Sequence, residues 1–289
     1  MKHNGVKTYP DDGLPREKEN NWTRVKHGVL VTSLDIFLGA MRKKYQRMIY
    51  VDLYSGPGLS GISKSSGLRA GSPFIALDRP TKFDRYIFCE KNPTDMEVLK
   101  TRIIANFPDQ NPIYILGDCN EKIDDLENAL GRAMDGSQDS TLSFCFVDPY
   151  ALDVRYETLK GLATKCPKMD FMVNIMLGLD VRLNWRTYLE VQSFRIADFL
   201  GDPDWRGRLG TGVDPASLSR FVGKRFASKM SALGYIPSNP ANDFLPFENS
   251  KSRIIYYIAF FSKAKIAFKF WDEAKYGGAN ASPFTRLDN

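Results

Sequence analysis

The stretch VDLYSGPGLSG, residues 51–61, ends an apolar run in glycines. Gly56, Gly58 and Gly61 have the spacing of a loop that brings backbone close to a ligand, because glycine has no Cβ. Three further apolar runs also end in polar groups. They are RYIFCEK with Glu90, PIYILGD with Asp118, and TLSFCFVDPY with Asp148-Pro149-Tyr150. If these runs are neighbouring parallel strands, their ends meet in one crevice despite their distance in sequence. Carboxylates and glycines gathered there can bind the hydroxyl and amino groups of a nucleoside-like ligand.

Two ligand types compete for such a loop. In a dinucleotide-binding unit the glycine turn opens directly into a helix whose N-terminus faces a pyrophosphate. Here the chain after Gly61 runs on through Ser63, Ser65, Ser66 and Gly67, and a good helix start waits until Ser72-Pro73. Glu90 also falls well beyond the position, about 20 residues after the fingerprint, where that unit places its acid. S-adenosylmethionine fits better, since it has no pyrophosphate. Gly56 and Gly58 would admit its amino-acid moiety, Glu90 would take the ribose hydroxyls, and Asp118 the adenine amino group. Ser55, Pro57, Ser72, Lys91 and Cys119 flank these positions and join the expected cofactor set, with Asp52 and Asp148.

Asp148-Pro149-Tyr150 is similar to the D-P-P-Y type of motif found in enzymes that methylate exocyclic amines. A carboxylate at 148 and the Pro149 carbonyl could hold N–H groups and aim the nitrogen lone pair. Tyr150 could stack on a base, as aromatic side chains do in pockets for extruded nucleotides. Methyl transfer would then be mainly positioning. The competing reading is that D-P-Y only ends a strand and that Gly56-x-Gly58 is only a turn.

The elements that must position these residues follow from periodicity. Strands are expected at 47–54, 85–91, 112–118, 141–150 and 168–176. Helices are expected at 72–78 (Ser72 capping, Pro73 in the first turn), 92–107 (Asn92 capping), 120–134 and 156–165. An earlier helix follows Trp22, and 59–71 is expected to be loop. Alternating strands and helices predict a doubly wound, mostly parallel α/β sheet. The expected organisation is a flexible arm over 1–20, a Rossmann-like core over 21–177, a helical and basic insert over 178–235, closing strands and helix over 236–276, and a tail over 277–289. The closing unit, DFLPFENSKSRIIYYIAFFSK, reads as two extended segments around a turn at 248–251.

The remaining composition mostly excludes. Only His3, in a polar tail, and His27 are present, so the close spacings of H-E-x-x-H, HNH-like and H-x-H metal sites are absent. No G-x-S-x-G elbow accompanies His27. Cys89, Cys119, Cys145 and Cys166 form no C-x-x-C and read as buried thiols. No metal is expected. The polar first 20 residues lack the apolar core of a secretion signal, and IIYYIAFF at 254–261 is too short to span a bilayer. A cytoplasmic protein without membrane contact is expected. The net charge of +6 favours a polyanionic partner. Arg182, Arg186, Arg220 and Lys224 are the candidate nucleic-acid contacts, against the reading that the basic stripe of 214–235 is a solvated face.

Trp22…Lys26-His27, YVDLYSGPG with the later GSP, FCEKNP, GDCN, SFCFVDPY and NSKSRIIYYIAFFSK…FW together span about residues 22–272. In these blocks the chain resembles the three-Cys-motif partner protein family (TcmP). The resemblance implies a class I S-adenosylmethionine-dependent methyltransferase fold, with Asp52, Gly56, Gly58, Glu90, Asp118 and Asp148 along the cofactor crevice. It also implies a winged-helix-like element in the later half and a separate partner protein. The fourth block carries a single proline, and Ala151 stands where a glycine commonly follows. Three functions are expected to compete: a methyltransferase acting on a nucleobase amine of DNA or RNA, an inactive nucleic-acid or protein adaptor of the same fold, and a nuclease holding Mg²⁺ on Asp52, Glu90, Asp118 and Asp148.

Overall fold

The computed structural model of the chain describes residues 6–18, 21–61, 67–249 and 253–277. Its elements in chain order are β1 (Thr8–Pro10), β2 (Glu17–Lys18), α1 (Asn21–Met41), β3 (Arg47–Asp52), β4 (Leu59–Gly61), β5 (Gly67–Ala70) and α2 (Ser72–Leu77). There follow β6 (Arg85–Glu90), α3 (Pro93–Asn106), β7 (Ile113–Leu116), α4 (Ile123–Met134), β8 (Thr141–Val147), α5 (Tyr156–Lys165) and β9 (Met169–Ile175). The chain closes with α6 (Asp180–Leu189), α7 (Arg195–Leu200), α8 (Pro215–Ala232), α9 (Pro240–Asp243), β10 (Leu245–Glu248), β11 (Ile254–Phe261) and α10 (Lys265–Gly277).

Seven strands form the main sheet, in the order β10-β11-β9-β8-β3-β6-β7. The five expected core strands run parallel, and β11 inserts antiparallel between β9 and β10. This is the expected mostly parallel, Rossmann-like sheet, including the antiparallel closing strand. Both faces of its central strands are buried, which explains the near-continuous apolar runs. Along β3, Ile49 and Val51 join one apolar cluster, while Met48 and Tyr50 join the other. Helices α4, α5, α7 and α8 cover the first face; α1, α2 and α10 cover the second.

Three local expectations need correction. The described part of the arm, residues 6–18, is not loose. Thr8 and Tyr9 pair with Arg69 and Leu68 of β5, Glu17 pairs with Ser60 of β4, and the segment joins a second, four-stranded sheet, β1-β5-β4-β2. Within the expected loop at 59–71 the same pairing makes strands β4 and β5, which hydrogen-bond each other; the serines of 62–66 lie outside the described residues. Ser72 does not cap its helix. Gly71 holds the cap position with no side chain to offer, and the Ser72 hydroxyl instead bonds to buried Asp52. Asn92 does cap α3, accepting from the Thr94 and Asp95 amides at 2.9 and 3.4 Å, with Pro93 in the first turn.

The 178–235 segment carries α6, α7, a 3-10 turn at Trp205–Arg208 and α8, with no strand from which to build a wing. Leu218, Val222, Phe226 and Met230 of α8 belong to the same apolar cluster as Phe171 of the sheet. The insert is therefore continuous with the core. Much of its basic charge serves the fold. Arg208 and Arg225 both pair with Asp202, Arg206 Nε and Nη2 bond carbonyls at 188–190 and Ser193, and Lys229 bonds the Gly201 carbonyl. Arg225 and Lys229 thus do not face away as the helical pattern suggests, whereas Arg182, Arg186, Arg220 and Lys224 are exposed. All four cysteines are buried free thiols. Among the described residues no helix is long and apolar enough to cross a membrane.

One carboxylate lies inside the core away from any site. Asp170 on β9 is 6% exposed, and burial pushes its pKa up to about 7 against a hydrogen bond with Ser262 that pulls it down. The folded state therefore holds this proton up to near pH 7, while an unfolded aspartate releases it near pH 3.9. Between those values the folded state binds more protons, so this group lowers stability as pH rises, and the whole cost is present above about pH 7. Asp170→Asn removes the titration. Its melting temperature should gain on wild type by several degrees between pH 5 and pH 8, measured by thermal unfolding. Asp52 and His27 also titrate, but they stay in both proteins and cancel in the comparison.

Candidate active site

A cavity of about 530 Å³ opens where the core strands end at their carboxyl side. Such a volume suits a cofactor or drug-sized ligand. The strands bring the expected residues to it in order. Ser55, Pro57 and Gly58 come from the turn after β3, Glu90 and Lys91 from the end of β6, and Asp118 and Cys119 from the turn after β7. Asp148, Pro149 and Tyr150 follow β8, and Ser72 opens α2 on the same wall. Arg182, Arg186, Arg220 and Lys224 do not line the cavity.

Two expected members stand behind the wall. Asp52 is fully buried, accepts from the Tyr54 amide (3.2 Å), the Tyr50 hydroxyl (3.3 Å) and the Ser72 hydroxyl, and has a pKa pushed up to about 7 by burial. It organises the turn from beneath. Gly56 has φ +57 and donates its amide to Glu90 Oε2 at 2.8 Å. The other Glu90 oxygen accepts from the Asn92 amide at 2.8 Å, so one carboxylate ties the glycine turn to the start of α3. Gly58 has φ +83, and a Cβ there would lie 2.8 Å from Leu99 Cδ1 and 2.9 Å from Phe74 Cε2. Glycine is required at this turn for both conformation and space.

Asp148 is held from two sides. Lys26 of α1 donates to Oδ2 at 2.5 Å, and Asn174 Nδ2 of β9 donates to Oδ1 at 2.8 Å. Lys26 is only 8% exposed and also lies over the Tyr256 ring, 5.5 Å from its centre. Asn174 Nδ2 is 3.5 Å from the Pro149 carbonyl. Its own Oδ1 is buried and has no hydrogen-bond partner among the described residues. Next to Lys26, His27 is buried and also faces the cavity. Burial first, and the Lys26 charge second, push its pKa down to about 3, so it is a neutral imidazole over the working pH range.

The N-terminal segment completes the mouth. Tyr150, 77% exposed, donates its hydroxyl to Glu17 Oε1 at 2.9 Å. Glu17 is accessible to solvent, but protein crowds it on most sides. That desolvation, helped by Asp148 and Glu90, raises its pKa above the ordinary glutamate range, while the Tyr150 bond and Lys26 act the other way. Lys26, Asn174, Tyr256 and Glu17 were not identified from sequence. No spacing links Lys26 to a partner 122 positions away. Asn174 did leave a signal: a polar residue within the apolar run KMDFMVNIM.

The acids converge without forming a metal centre. Among the described residues no group of three or more His, Cys, Asp or Glu side chains is arranged to hold a metal ion. Asp52 is sealed below the turn, Glu90 bonds backbone amides, and Asp148 pairs with Lys26. The expected alternative of a Mg²⁺ nuclease built on these four acids is not supported by this arrangement.

No protein-family model matches the chain. No curated protein matches it either. Among solved structures, the chain is similar to protein LPL1258 from Legionella pneumophila, family-model DUF519, with 14% identity over 92% of this chain and 93% of that one and a TM-score of 0.52. It also overlaps M. jannaschii TYW2, solved in complex with AdoMet, with 11% identity over 90% of this chain and 87% of that one and a TM-score of 0.39. The first likeness is one of fold; the second is too loose to bear on this chain.

Proposed function

We propose that the chain is an S-adenosylmethionine-dependent methyltransferase whose acceptor is an exocyclic amine of a nucleobase in DNA or RNA. The observation that carries this reading is the meeting of the glycine turn, Glu90, Asp118 and Asp148 on one cavity at the carboxyl ends of a class I methyltransferase sheet. The wall fits the donor. It offers a carboxylate for ribose hydroxyls at Glu90, another for an adenine amino group at Asp118, and at Gly58 a position with no side chain to block close approach. When bound, S-adenosylmethionine supplies an electrophilic methyl group on sulfur. The chain's own part is to bind, orient and exclude water. Asp148, fixed by Lys26 and Asn174, presents a carboxylate of set orientation toward the amine, and the Pro149 carbonyl adds a second acceptor. Tyr150 offers an aromatic face at the mouth.

The exposed Arg182, Arg186, Arg220 and Lys224, together with the net charge of +6, support a nucleic-acid acceptor. The TcmP likeness supports a separate partner protein as well. Calorimetric titration with S-adenosylhomocysteine is the first test. Saturable binding is expected, and no binding at high micromolar ligand would overturn the proposal. Glu90→Ala should weaken that binding by roughly tenfold or more, since it removes the ribose acceptor and the tie to Gly56 together. Unchanged affinity in that variant would remove Glu90 from the site.

A further inference from the structure

Asn174 has an amide whose two ends face different tasks. It occupies the next-to-last position of β9, one step beyond the Val147–Val173 register pair, which sets it beside Asp148. Its orientation is fixed by chemistry. Nδ2 meets Asp148 Oδ1 at 2.8 Å and the Pro149 carbonyl at 3.5 Å, both acceptors, so a flipped amide would set oxygen against oxygen. Oδ1 is then committed as an acceptor. It belongs to a residue 4% exposed, on the cavity wall, and it has no donor among the described residues. A buried acceptor without a partner costs about 1–3 kcal/mol, so native proteins rarely leave one without a water or a ligand to complete it.

We infer that Asn174 is a specificity-determining residue whose Oδ1 accepts an N–H of the substrate's amine while its Nδ2 fixes Asp148. The inference rests on the cavity's being a methyl-transfer site and says which acceptors it admits. A planar exocyclic amine carries two N–H groups. Asn174, Asp148 and Pro149 all line the cavity, so Asn174 Oδ1 can take one of these and Asp148 or the Pro149 carbonyl the other. A base with a keto oxygen at that position would point lone pairs at these acceptors and is rejected. A base with hydrogen there leaves Oδ1 unpaired.

The test uses the full chain saturated with S-adenosylhomocysteine. Adenosine and cytidine 5′-monophosphates are titrated against their counterparts lacking the amino group. An aminated ligand is expected to bind at least about tenfold tighter than its deaminated counterpart, because a site built around a hydrogen bond discriminates against the analogue that lacks it. In Asn174→Leu the preference should fall to within about twofold, with S-adenosylhomocysteine affinity unchanged. Leucine is close in size and leaves Lys26 on Asp148, and thermal melting checks the fold. Equal affinities in wild type, no measurable binding of the amines, or a preference that survives Asn174→Leu would overturn the assignment. Failure of S-adenosylhomocysteine to bind wild type would instead overturn the methyltransferase reading. Should Asn174→Leu not fold, the wild-type comparison alone decides: a tenfold preference upholds an amine-selecting wall and its absence overturns it.

Discussion

Gly178→Ala is expected to destabilise the protein by about 3 kcal/mol or more, because no flexible side chain can yield to the added methyl. Gly178 follows β9, where the chain passes against the start of β11. A Cβ there would collide with the Ile254 carbonyl oxygen, and would lie 2.6 Å from Ile254 carbon and 2.7 Å from the Ile255 oxygen. All of these atoms are backbone. They cannot move aside, since Leu179 donates to the Ile255 carbonyl at 2.7 Å and β11 is paired to β9 over Tyr257–Phe261. A loss of that size lowers the melting temperature by roughly 6–12 °C in a domain of this scale. Gly210→Ala is the control. Nothing lies within 4 Å of its added Cβ, and its stability should stay within about 0.5 kcal/mol of wild type. The effect should reach the site too, because Leu179, Ile255 and Tyr256 line the cavity. A melting temperature for Gly178→Ala equal to that of Gly210→Ala would show that the two strands part more easily than their pairing implies.

The main sheet was readable because its signal is local. TLSFCFV and MDFMVNI are apolar on both faces, and that continuous pattern belongs to strands covered by helices on both sides. Asn92-Pro93 marks a helix start by backbone chemistry alone. The small sheet was not readable. GLRA and LSG are too short and too rich in small residues to signal strands, and they become strands only because β1 and β2 hydrogen-bond their edges. Ser72 was misread for a related reason. Its hydroxyl had two possible partners, the helix backbone and Asp52, and only the fold shows that Asp52 lies within reach.

The site divides along the same line. Residues fixed by strand ends, such as Glu90, Asp118 and Asp148, are legible, because the carboxyl end of each parallel strand reaches the same edge of the sheet. Asp52 is the exception: it ends β3 as Glu90 ends β6, but the Tyr54 amide and the Tyr50 and Ser72 hydroxyls hold its carboxylate below the turn, inside the fold. Lys26 and Glu17 reach the site from elements outside the strand–helix repeat. Their positions follow from how α1 packs on the sheet and how the N-terminal segment crosses the mouth. Charge counts treat Arg206, Arg208, Arg225 and Lys229 like Arg182, yet the first four hold carbonyls and Asp202.

Arg102→Met should couple the N-terminal segment to the glycine turn in a single measurement. Arg102 lies on α3 and is 1% exposed. Its guanidinium grips Asp12 with Nε at 2.7 Å and Nη2 at 2.9 Å, and its Nη1 donates to the Pro57 carbonyl at 2.8 Å. One cation thus anchors both the segment carrying Glu17 and the turn carrying Gly58. Methionine keeps much of the side-chain packing but leaves the Pro57 carbonyl without this donor and Asp12 without its counter-charge. Losing a hydrogen-bonded buried charge of this kind costs about 3 kcal/mol. The Asp12 end supplies a pH signature. Its hydrogen bond from Arg102 lowers its pKa, so the pair adds stability above the unfolded value near 3.9, and that stability fades as pH falls through the folded value. The gap between wild type and Arg102→Met should therefore narrow below about pH 4. S-adenosylhomocysteine affinity should drop by roughly tenfold or more in the folded variant, since the turn at 56–58 loses its anchor. If the melting temperature falls while that affinity holds, the turn is fixed by Glu90 alone, and Arg102 secures only the segment at residues 6–18.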